Sequence, residues 1–322
     1  LGLFLNLLLV HLILNATRTR IGSYKYLQII FVLNDIAYSS YSFAMQGKMI
    51  TKGHTFTLFL TSRYGNNLHL VCIDASLFSL ILVIVSFNFL YRYWAVVCPD
   101  RIQLFSTGWF SLFLVLIAFA EFAAWYCNSF FMYAASDEAR ADLVPEFAHK
   151  YGLDARTRAM IMGDYWRDGH YNAHPLIGLA VFCGILSAGF AFMMFCSVSI
   201  LRHLSQGGES ISAKTRKLQY SLFRILTVQT LIPLLFVHFD AGQVHILPSF
   251  GIDSSVLDWC SMIVSFFPPL DAIAVILLMR DYRETITSLF VCMFWNPGAN
   301  HCVSSIFVSR ATTIILNSER NK

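Results

Sequence analysis

Arg92 is the residue of this chain whose position most needs a chemical explanation. It stands between Tyr91 and Tyr93 at the end of a long apolar run. An arginine side chain stays charged and presents a planar fork of hydrogen-bond donors. The free-energy cost of placing an arginine in a membrane is lower at the end of an apolar segment, because the long side chain can reach water there. We expect Arg92, together with the two tyrosines, to hold neighbouring helices in one conformation and to meet a partner in another.

Acidic residues inside apolar segments form a second group: Asp35, Asp74, Glu121 and Asp271. Charged groups in a membrane are expensive, so each of them is a hypothesis about function. Asn6, Asp35 and Asp271 each lie nine residues from the inner end of their segments, a depth of ~13 Å on a helix. We therefore expect these three to meet. Two interpretations stay open: fixed hydrogen bonds between helices, or a site for a proton, a sodium ion or ordered water that changes with conformation.

Prolines mark two expected hinges beside this polar group. Pro233 removes a backbone hydrogen bond and crowds the carbonyl of Gln229, which predicts a kink. Pro268 and Pro269 stand just before Asp271 and are expected to break their helix in the same way. Membrane helices also tolerate proline without any motion. Because both hinges flank the polar group, we interpret them as moving parts of a conformational switch.

Aromatic and soft side chains in the outer halves of the segments predict a pocket for a small molecule. Such pockets are largely apolar with a few polar anchors, although aromatic residues at helical spacing also fit core packing. The residues expected to line it are Tyr38, Tyr41, Met45, His69, Cys72, Ser76, Trp125, Phe236, Met262 and Phe266.

Catalytic and cofactor sites are not indicated. A zinc hydrolase needs three converging histidines and an acid, and no acid has the required helical spacing to pairs such as His170 and His174. A retinal pigment needs a lysine in the last apolar segment, which has none. We expect no enzyme activity, no metal, no cofactor and no nucleic-acid partner.

Membrane-spanning helices are the elements that must position these residues. The chain has 322 residues, of which 57% are hydrophobic and 13% charged, with a mean hydropathy of +0.59. Soluble domains carry about 25% charged residues, so a soluble protein is excluded. Seven apolar segments approach the ~20 residues that cross a bilayer. They are residues 1–14, 26–46, 67–91, 104–133, 174–201, 218–239 and 256–279. We predict an all-α integral membrane protein with a seven-transmembrane helix bundle, whose short first span suggests that N-terminal residues are missing.

Basic residues set the predicted orientation. Most of the 23 Lys and Arg residues fall in one set of short loops and in the tail, and such loops stay cytoplasmic. This places the N-terminus outside and the C-terminus inside, although the outer 47–66 loop also holds basic residues. The basic residues expected at the inner mouth beside the sixth segment are Lys214, Arg216, Lys217 and Arg224.

The C-terminal part is expected to form a cytoplasmic tail. We divide the chain into a receptor domain, residues 1–284, and a tail, residues 285–322. Apolar residues recur at helical spacing after Arg280, which predicts a short amphipathic helix on the inner leaflet. Cys292 on this helix is a weak candidate for palmitoylation.

Four motifs resemble the nematode serpentine chemoreceptors of the Str class, a branch of the G-protein-coupled receptors. The motifs are GSYKYL (22–27), NFLYRYWAV (88–96), LQYSLFRILTVQTLIPL (218–234) and FPPLDAI followed by RDYR (267–273 and 280–283). The resemblance implies a receptor in the plasma membrane of sensory cilia that detects small, often volatile, odorants and signals through a heterotrimeric G protein.

The resemblance also implies roles for individual residues, and this sequence differs from the pattern of rhodopsin-like receptors at several of them. Arg92 and Tyr93 correspond to the Asp-Arg-Tyr arginine and tyrosine of rhodopsin-like receptors, but Tyr91 replaces the acid. We expect tyrosine hydroxyls or a partner on the sixth span to restrain Arg92. Cys72 lies too deep for the usual disulfide to the second outer loop, so the 134–173 loop must be ordered otherwise or stay mobile. Alternatives are an odorant-gated cation channel of inverted topology, a transporter, and a receptor-like protein that does not signal.

Overall fold

The computed structural model describes residues 1–16, 24–206, 213–235, 239–252 and 266–295. Its helices are α1 (Gly2–Asn15), α2 (Tyr24–Met45), α3 (Leu68–Val97), α4 (Gly108–Met132), α5 (Asp137–Tyr151), α6 (Ala173–Ser205), α7 (Ala213–Pro233), α8 (Phe239–Ile246), α9 (Phe267–Leu278) and α10 (Arg280–Trp295). Its strands are β1 (Gly47–Lys52), β2 (Thr55–Leu60), β3 (Met160–Asp164), β4 (Trp166–Arg167) and β5 (His170–Tyr171). Short 3₁₀ helices cover Pro99–Ser106 and Leu247–Phe250.

Helix α3 is the central element of the helical bundle. It packs against α2, α4, α6 and α7. Asn67 caps its first turn by accepting a hydrogen bond of 2.9 Å from the backbone N–H of His69, and the helix ends at Val97, two residues before Pro99. Because α3 is buried along most of its length, it connects the two ends of the bundle through one rigid element.

Within the described residues, α3, α4 and α6 are long and apolar enough to cross a bilayer. Helices α1 and α9 are apolar but shorter. Each of the seven predicted segments contains a helix, but the helices of the second and sixth segments carry more polar residues: α2 contains Asn34 and Asp35, and α7 begins with basic residues. Length and composition therefore identify three crossings in the described part of the chain.

The two proline sites end or begin helices. Helix α7 ends at Pro233 and α8 begins at Phe239; residues 236–238 between them lie outside the described residues, so the predicted kink at Pro233 stays a prediction. Pro268 and Pro269 lie in the first turn of α9. A first-turn proline lacks only an N–H that has no helical partner there anyway, and because residues 253–265 lie outside the described residues, the expected break of the seventh segment stays a prediction.

A three-stranded antiparallel sheet, in the order β1–β2–β3, covers the end of the bundle opposite Arg92. We call this sheet together with α5 the sheet cap. The prediction of an all-α fold is therefore wrong at this end. The 47–66 loop forms the β1–β2 hairpin, and β3 from the 134–173 loop pairs with β2. This pairing orders the long loop without a disulfide.

The sequence of the hairpin explains why it forms. Strand β2 reads Thr-Phe-Thr-Leu-Phe-Leu, which is rich in the β-branched and aromatic residues that suit strands. Gly53, the first of the two turn residues, adopts a φ of +56°, and glycine accepts this conformation without steric cost.

Alternate residues of the strands pack on opposite sides of the sheet, as the two-residue period of a strand requires. One side faces the helical bundle and includes Phe56, Leu58, Leu60 and Ile161. The other side includes Ile50, Phe59, Met160 and Met162 and packs on Phe147 of α5. Both faces of the sheet are thus buried, which stabilises a short sheet that would be marginal in water.

Arginine side chains connect the segments of the sheet cap. Arg140 donates to the carbonyl of Arg158 at 2.6 Å, and Arg158 donates to the carbonyl of Ser62 at 2.8 Å. Arg167 forms ion pairs with Asp164 at 2.5 Å and with Asp142 at 3.1 Å. Charged residues that the sequence alone placed in a solvated loop therefore fix the geometry of the cap.

Candidate functional site

A cavity lies between the helical bundle and the sheet cap. It has an empty volume of about 540 Å³, part of it open to solvent. Helices α2, α3, α4, α6 and α8 and all three strands of the sheet contribute to its wall. The lining residues are Tyr38, Met49, Leu58, Asp74, Ala75, Phe78, Trp125, Asn128, Ser129, Tyr133, Ile161, Phe182 and His245. An apolar wall with a few polar groups is the usual composition of a site for a small organic molecule.

Aromatic rings form the firmest part of this wall. The ring centre of Trp125 lies 5.1 Å from that of Phe182 in an edge-on arrangement and 6.2 Å from that of Phe78. Phe182 in turn stacks on His245 with centres 4.6 Å apart and an interplanar angle of 9°. Edge-on and offset pairs are the favoured aromatic geometries, so these rings hold one another in place.

Polar side chains of α4 orient this aromatic wall. The indole N–H of Trp125 donates to Glu121 Oε1 at 3.0 Å. Asn128 Nδ2 donates to the carbonyl of Gly178 at 3.2 Å and so connects α4 to α6. The acid Glu121, which the sequence left without a role, fixes the orientation of a residue in the cavity wall.

Asp74 is the acidic residue of the cavity wall. Tyr38 and Tyr41 lie close enough to interact with its carboxylate electrostatically. A Cβ atom added to Gly47 would lie 2.8 Å from Asp74 Oδ2, so the backbone of β1 packs directly on the acid. The Tyr41 hydroxyl donates instead to the carbonyl of Leu70, at 2.6 Å. No hydrogen bond or ion pair to Asp74 forms within the described part of the chain.

The predicted pocket residues divide into two groups. Tyr38 and Trp125 lie in the cavity wall. The expected α3 face of His69, Cys72 and Ser76 does not line this cavity; the Ser76 hydroxyl instead donates to the carbonyl of Cys72 at 2.7 Å. Successive side chains on a helix point about 100° apart around its axis, so residues that are neighbours in sequence face different surroundings. A neighbouring face of α3, with Asp74, Ala75 and Phe78, is the one that reaches the cavity.

The remaining predicted pocket residues are elsewhere. His69 hydrogen-bonds to Tyr126. Met45 packs against the core below the sheet, and Phe266 is 48% exposed. Phe236 and Met262 lie outside the described residues.

Several residues of the cavity wall escaped the sequence reasoning. Asn128 and Ser129 form a polar pair within the apolar α4, a signal that could have been used. Leu58 and Ile161 come from strands that were expected to be loops. The alternating pattern of β2 could have revealed that strand, but not its distant partner.

A polar cluster forms inside the bundle, as the equal-depth argument predicts. Asn6, Asp35 and Asp271 are each fully buried. Asn6 Nδ2 donates to the carbonyl of Pro268 at 3.1 Å. Asp35 lies beside Asp271, and Asp271 lies beside Gln229. Neither carboxylate accepts a hydrogen bond of normal geometry from a described residue. Four helices, α1, α2, α7 and α9, thus contribute side chains to one buried polar group.

Arg92 is held by an aromatic ring. Its side chain is almost completely buried, with 3% of its surface exposed. The guanidinium carbon lies 3.7 Å from the ring centre of Tyr24 in α2 and 5.9 Å from that of Tyr91. Arg92 Nε and Nη2 have no hydrogen-bond partner among the residues that the structure describes. A cation–π contact of this kind contributes up to about 2 kcal/mol when desolvated.

This arrangement corrects the expected restraint on Arg92. The face of the Tyr24 ring contacts the guanidinium, where the sequence predicted tyrosine hydroxyls or a residue of the sixth span. Tyr91 lies on the same side, with its ring centre 5.6 Å from that of Tyr24, whereas Tyr93 faces Phe195 of α6. Tyr24 belongs to the GSYKYL motif, but nothing in the motif shows that it faces Arg92.

The basic residues near this end are only partly described. Arg216, Lys217 and Arg224 lie exposed on α7. The side chains of Lys214, Pro233 and Cys292 are outside the described residues. Helix α10 forms where the amphipathic helix was predicted.

The cavity and Arg92 lie at opposite ends of one helix. Asp74 and Arg92 are 18 residues apart on α3, which corresponds to about 27 Å along the helix axis.

The Tyr165 phenol follows strand β3 directly. Burial raises its pKa above its ordinary value, so this side chain stays neutral.

Comparisons with known proteins agree on one family. The family described as serpentine type 7TM GPCR chemoreceptor Str matches residues 1–287. The chain is 27% identical to the Caenorhabditis elegans protein named serpentine receptor class r-10, over 87% of this chain and 86% of that protein. It is 24% identical to the G-protein coupled receptor str-33 of the same species, over 90% and 88% of the two chains. A serpentine receptor class r-10 of Caenorhabditis briggsae is 26% identical, over 88% and 86%.

Proposed function

Because the chain belongs to the Str family of serpentine G-protein-coupled chemoreceptors, we propose that it binds a small odorant in the cavity below the sheet cap and activates a heterotrimeric G protein at the opposite end. The observation that carries this proposal is the placement of two unusual sites on α3. A mostly apolar cavity that is partly open to solvent lies at one end, and a buried arginine with no described acidic partner lies at the other.

The proposal includes a bundle of seven spans. Helices α3, α4 and α6 supply three of them. The other four correspond to α1, to α2, to α7 with α8, and to the segment that ends in α9. Residues 1–284 then form the receptor domain, and residues 285–322 form the tail. The short basic loops place the Arg92 end in the cytoplasm, so the sheet cap faces the outside of a plasma membrane, that of sensory cilia by analogy with the family.

Activation requires two packings of the bundle. A ligand shifts their equilibrium only by its differential affinity for the two states. Pro233, the expected hinge, lets the inner part of α7 move separately from the outer part of the sixth segment, and such a movement opens the region around Arg92. The exposed Arg216, Lys217 and Arg224 on α7 then contact acidic surfaces of the G protein or of lipid headgroups.

The polar cluster acts as the conformational switch between these packings. Two adjacent buried carboxylates, Asp35 and Asp271, repel each other when both are ionised. The cluster therefore retains a proton or a sodium ion in at least one state, and separation of α2 from α9 changes that occupancy.

Substitution of Arg92 tests this function. Arg92→Ala should abolish odorant-evoked G-protein activation in cells that express the full chain, while surface expression stays at the level of the original protein. Arg101→Ala is the matched control, because Arg101 is exposed at the same end of the bundle. G-protein activation would be followed by an energy-transfer sensor during an odorant screen. Undiminished activation of the Arg92→Ala variant would contradict the proposal.

A further inference from the structure

Asp74 has no partner that explains its presence in the cavity. Its carboxylate lies in a wall that is otherwise mostly apolar. No described residue donates a hydrogen bond to this carboxylate or forms an ion pair with it. Asp74 is only half-buried, so its carboxylate faces the part of the cavity that is open to solvent and is accessible to a molecule that enters it. A ligand group of opposite charge would supply the missing partner.

The surroundings of Asp74 select the kind of cation. Metal ions such as sodium or calcium need several oxygen ligands, and Asp74 is the one carboxylate among the described residues that line the cavity. The cavity instead presents aromatic rings from Tyr38, Phe78, Trp125 and Phe182. The faces of aromatic rings attract organic ammonium groups. The same rings also pack against the apolar part of such a ligand.

The imidazole of His245 also belongs to the cavity wall. It packs among Phe56, Tyr133 and Phe182, whereas the neighbours of Asp74 are Tyr38, Tyr41 and Gly47. The acid and the imidazole are therefore surrounded by different elements of the wall.

We propose that the ligand of this receptor is a small organic amine, whose ammonium group pairs with Asp74 and whose apolar part lies among the aromatic rings of the cavity. The inference rests on the proposed function, since it names the chemical class that the odorant cavity accepts. Gly47 fixes the position of the acid, because the backbone of β1 packs on it so closely that a Cβ atom would lie 2.8 Å from Asp74 Oδ2.

Thermal unfolding of the purified full chain in lipid nanodiscs tests the proposal. The probes are isopentylamine and benzylamine at millimolar concentration, compared with isopentyl alcohol and benzyl alcohol, which have similar shapes but no charge. At least one amine should raise the unfolding temperature in a concentration-dependent manner. The alcohol of the same shape should leave the unfolding temperature unchanged. Asp74→Asn should weaken amine binding by at least about 30-fold.

Two further variants make the outcome specific. Glu138→Gln removes an exposed acid in the first turn of α5 and should leave amine binding unchanged. Gly47→Ala should weaken amine binding without removing any charge, and it keeps the test decisive if Asp74→Asn does not fold. Equal stabilisation by alcohols and amines, no stabilisation by either amine, or unchanged amine binding by both Asp74→Asn and Gly47→Ala would overturn the proposal.

The result is distinguishable from failure of the proposed function. A neutral odorant that activates the G protein, with no amine binding, would overturn the inference about amines and leave the receptor function intact. Amine binding that is lost in Asp74→Asn, with no G-protein activation by those amines, would support the inference and contradict the proposed signalling.

Discussion

At the scale of single residues, Arg92 and Tyr24 form the contact that restrains the arginine end of the bundle. Their separation of 3.7 Å joins α3 to α2 without an acid. The sequence predicted that Arg92 is functional, because a charge at the end of an apolar run is costly. It could not predict the partner, because a tyrosine after a loop has no pattern that distinguishes an aromatic face from ordinary core packing.

Removal of the Tyr24 ring should release Arg92. We expect Tyr24→Leu to raise basal G-protein activation, since a desolvated cation–π contact of about 2 kcal/mol corresponds to roughly a 30-fold change in an equilibrium constant. Basal activity would be measured by the energy-transfer sensor in the absence of odorant and normalised to surface expression.

Tyr24→Phe is the matched control for this substitution. It keeps the ring, and the Tyr24 hydroxyl that it removes has no hydrogen-bond partner among the described residues. Basal activity should stay close to that of the original protein. Equal basal activity of the Leu and Phe variants would show that the ring does not restrain Arg92.

At the scale of elements, the sheet cap is the feature that the sequence reasoning missed. Long apolar segments identify helices, because a bilayer imposes a minimum length. Strands of five or six residues within charged loops give a much weaker signal. The pairing of β2 with β3 joins Phe59 to Met160 across about a hundred residues of chain, and no local pattern predicts such a contact. The cap also supplies part of the cavity wall, which explains why several of its residues were missed.

A substitution at Gly163 should disturb the cap. A Cβ atom added to Gly163 in β3 would lie 2.3 Å from the ring of Phe56. That ring has little freedom to move, because its centre lies 4.1 Å from that of His245 and 5.2 Å from that of Tyr133. Overpacking of this kind costs about 1–3 kcal/mol. We therefore expect Gly163→Ala to lower the unfolding temperature of the purified protein and to weaken odorant potency.

Gly184→Ala provides the comparison for this prediction. Gly184 lies in α6, and an added Cβ meets nothing within 4 Å. Alanine favours a helix over glycine by about 1 kcal/mol, so this variant should be as stable as the original protein or slightly more so. If Gly163→Ala unfolded at the same temperature as Gly184→Ala, the described packing of β3 against Phe56 would be wrong.

At the scale of the whole molecule, the bundle separates an odorant cavity from a signalling end. The polar cluster of Asn6, Asp35 and Asp271 was predictable, because helical rise converts sequence distance into depth. The cavity was predictable only in part: aromatic side chains indicated a pocket in the outer halves of the apolar segments, and the rotation of α3 that brings Asp74 to it was not encoded in any local motif.

The side of the membrane on which each end lies tests the central claim most directly. One epitope tag would be added at the C-terminus and another inserted at Asp168 and Gly169, the exposed turn between β4 and β5. We predict that antibody labels the turn on intact cells and labels the C-terminus only after permeabilisation. Labelling of the C-terminus on intact cells would contradict a cytoplasmic signalling end and favour a channel of inverted topology.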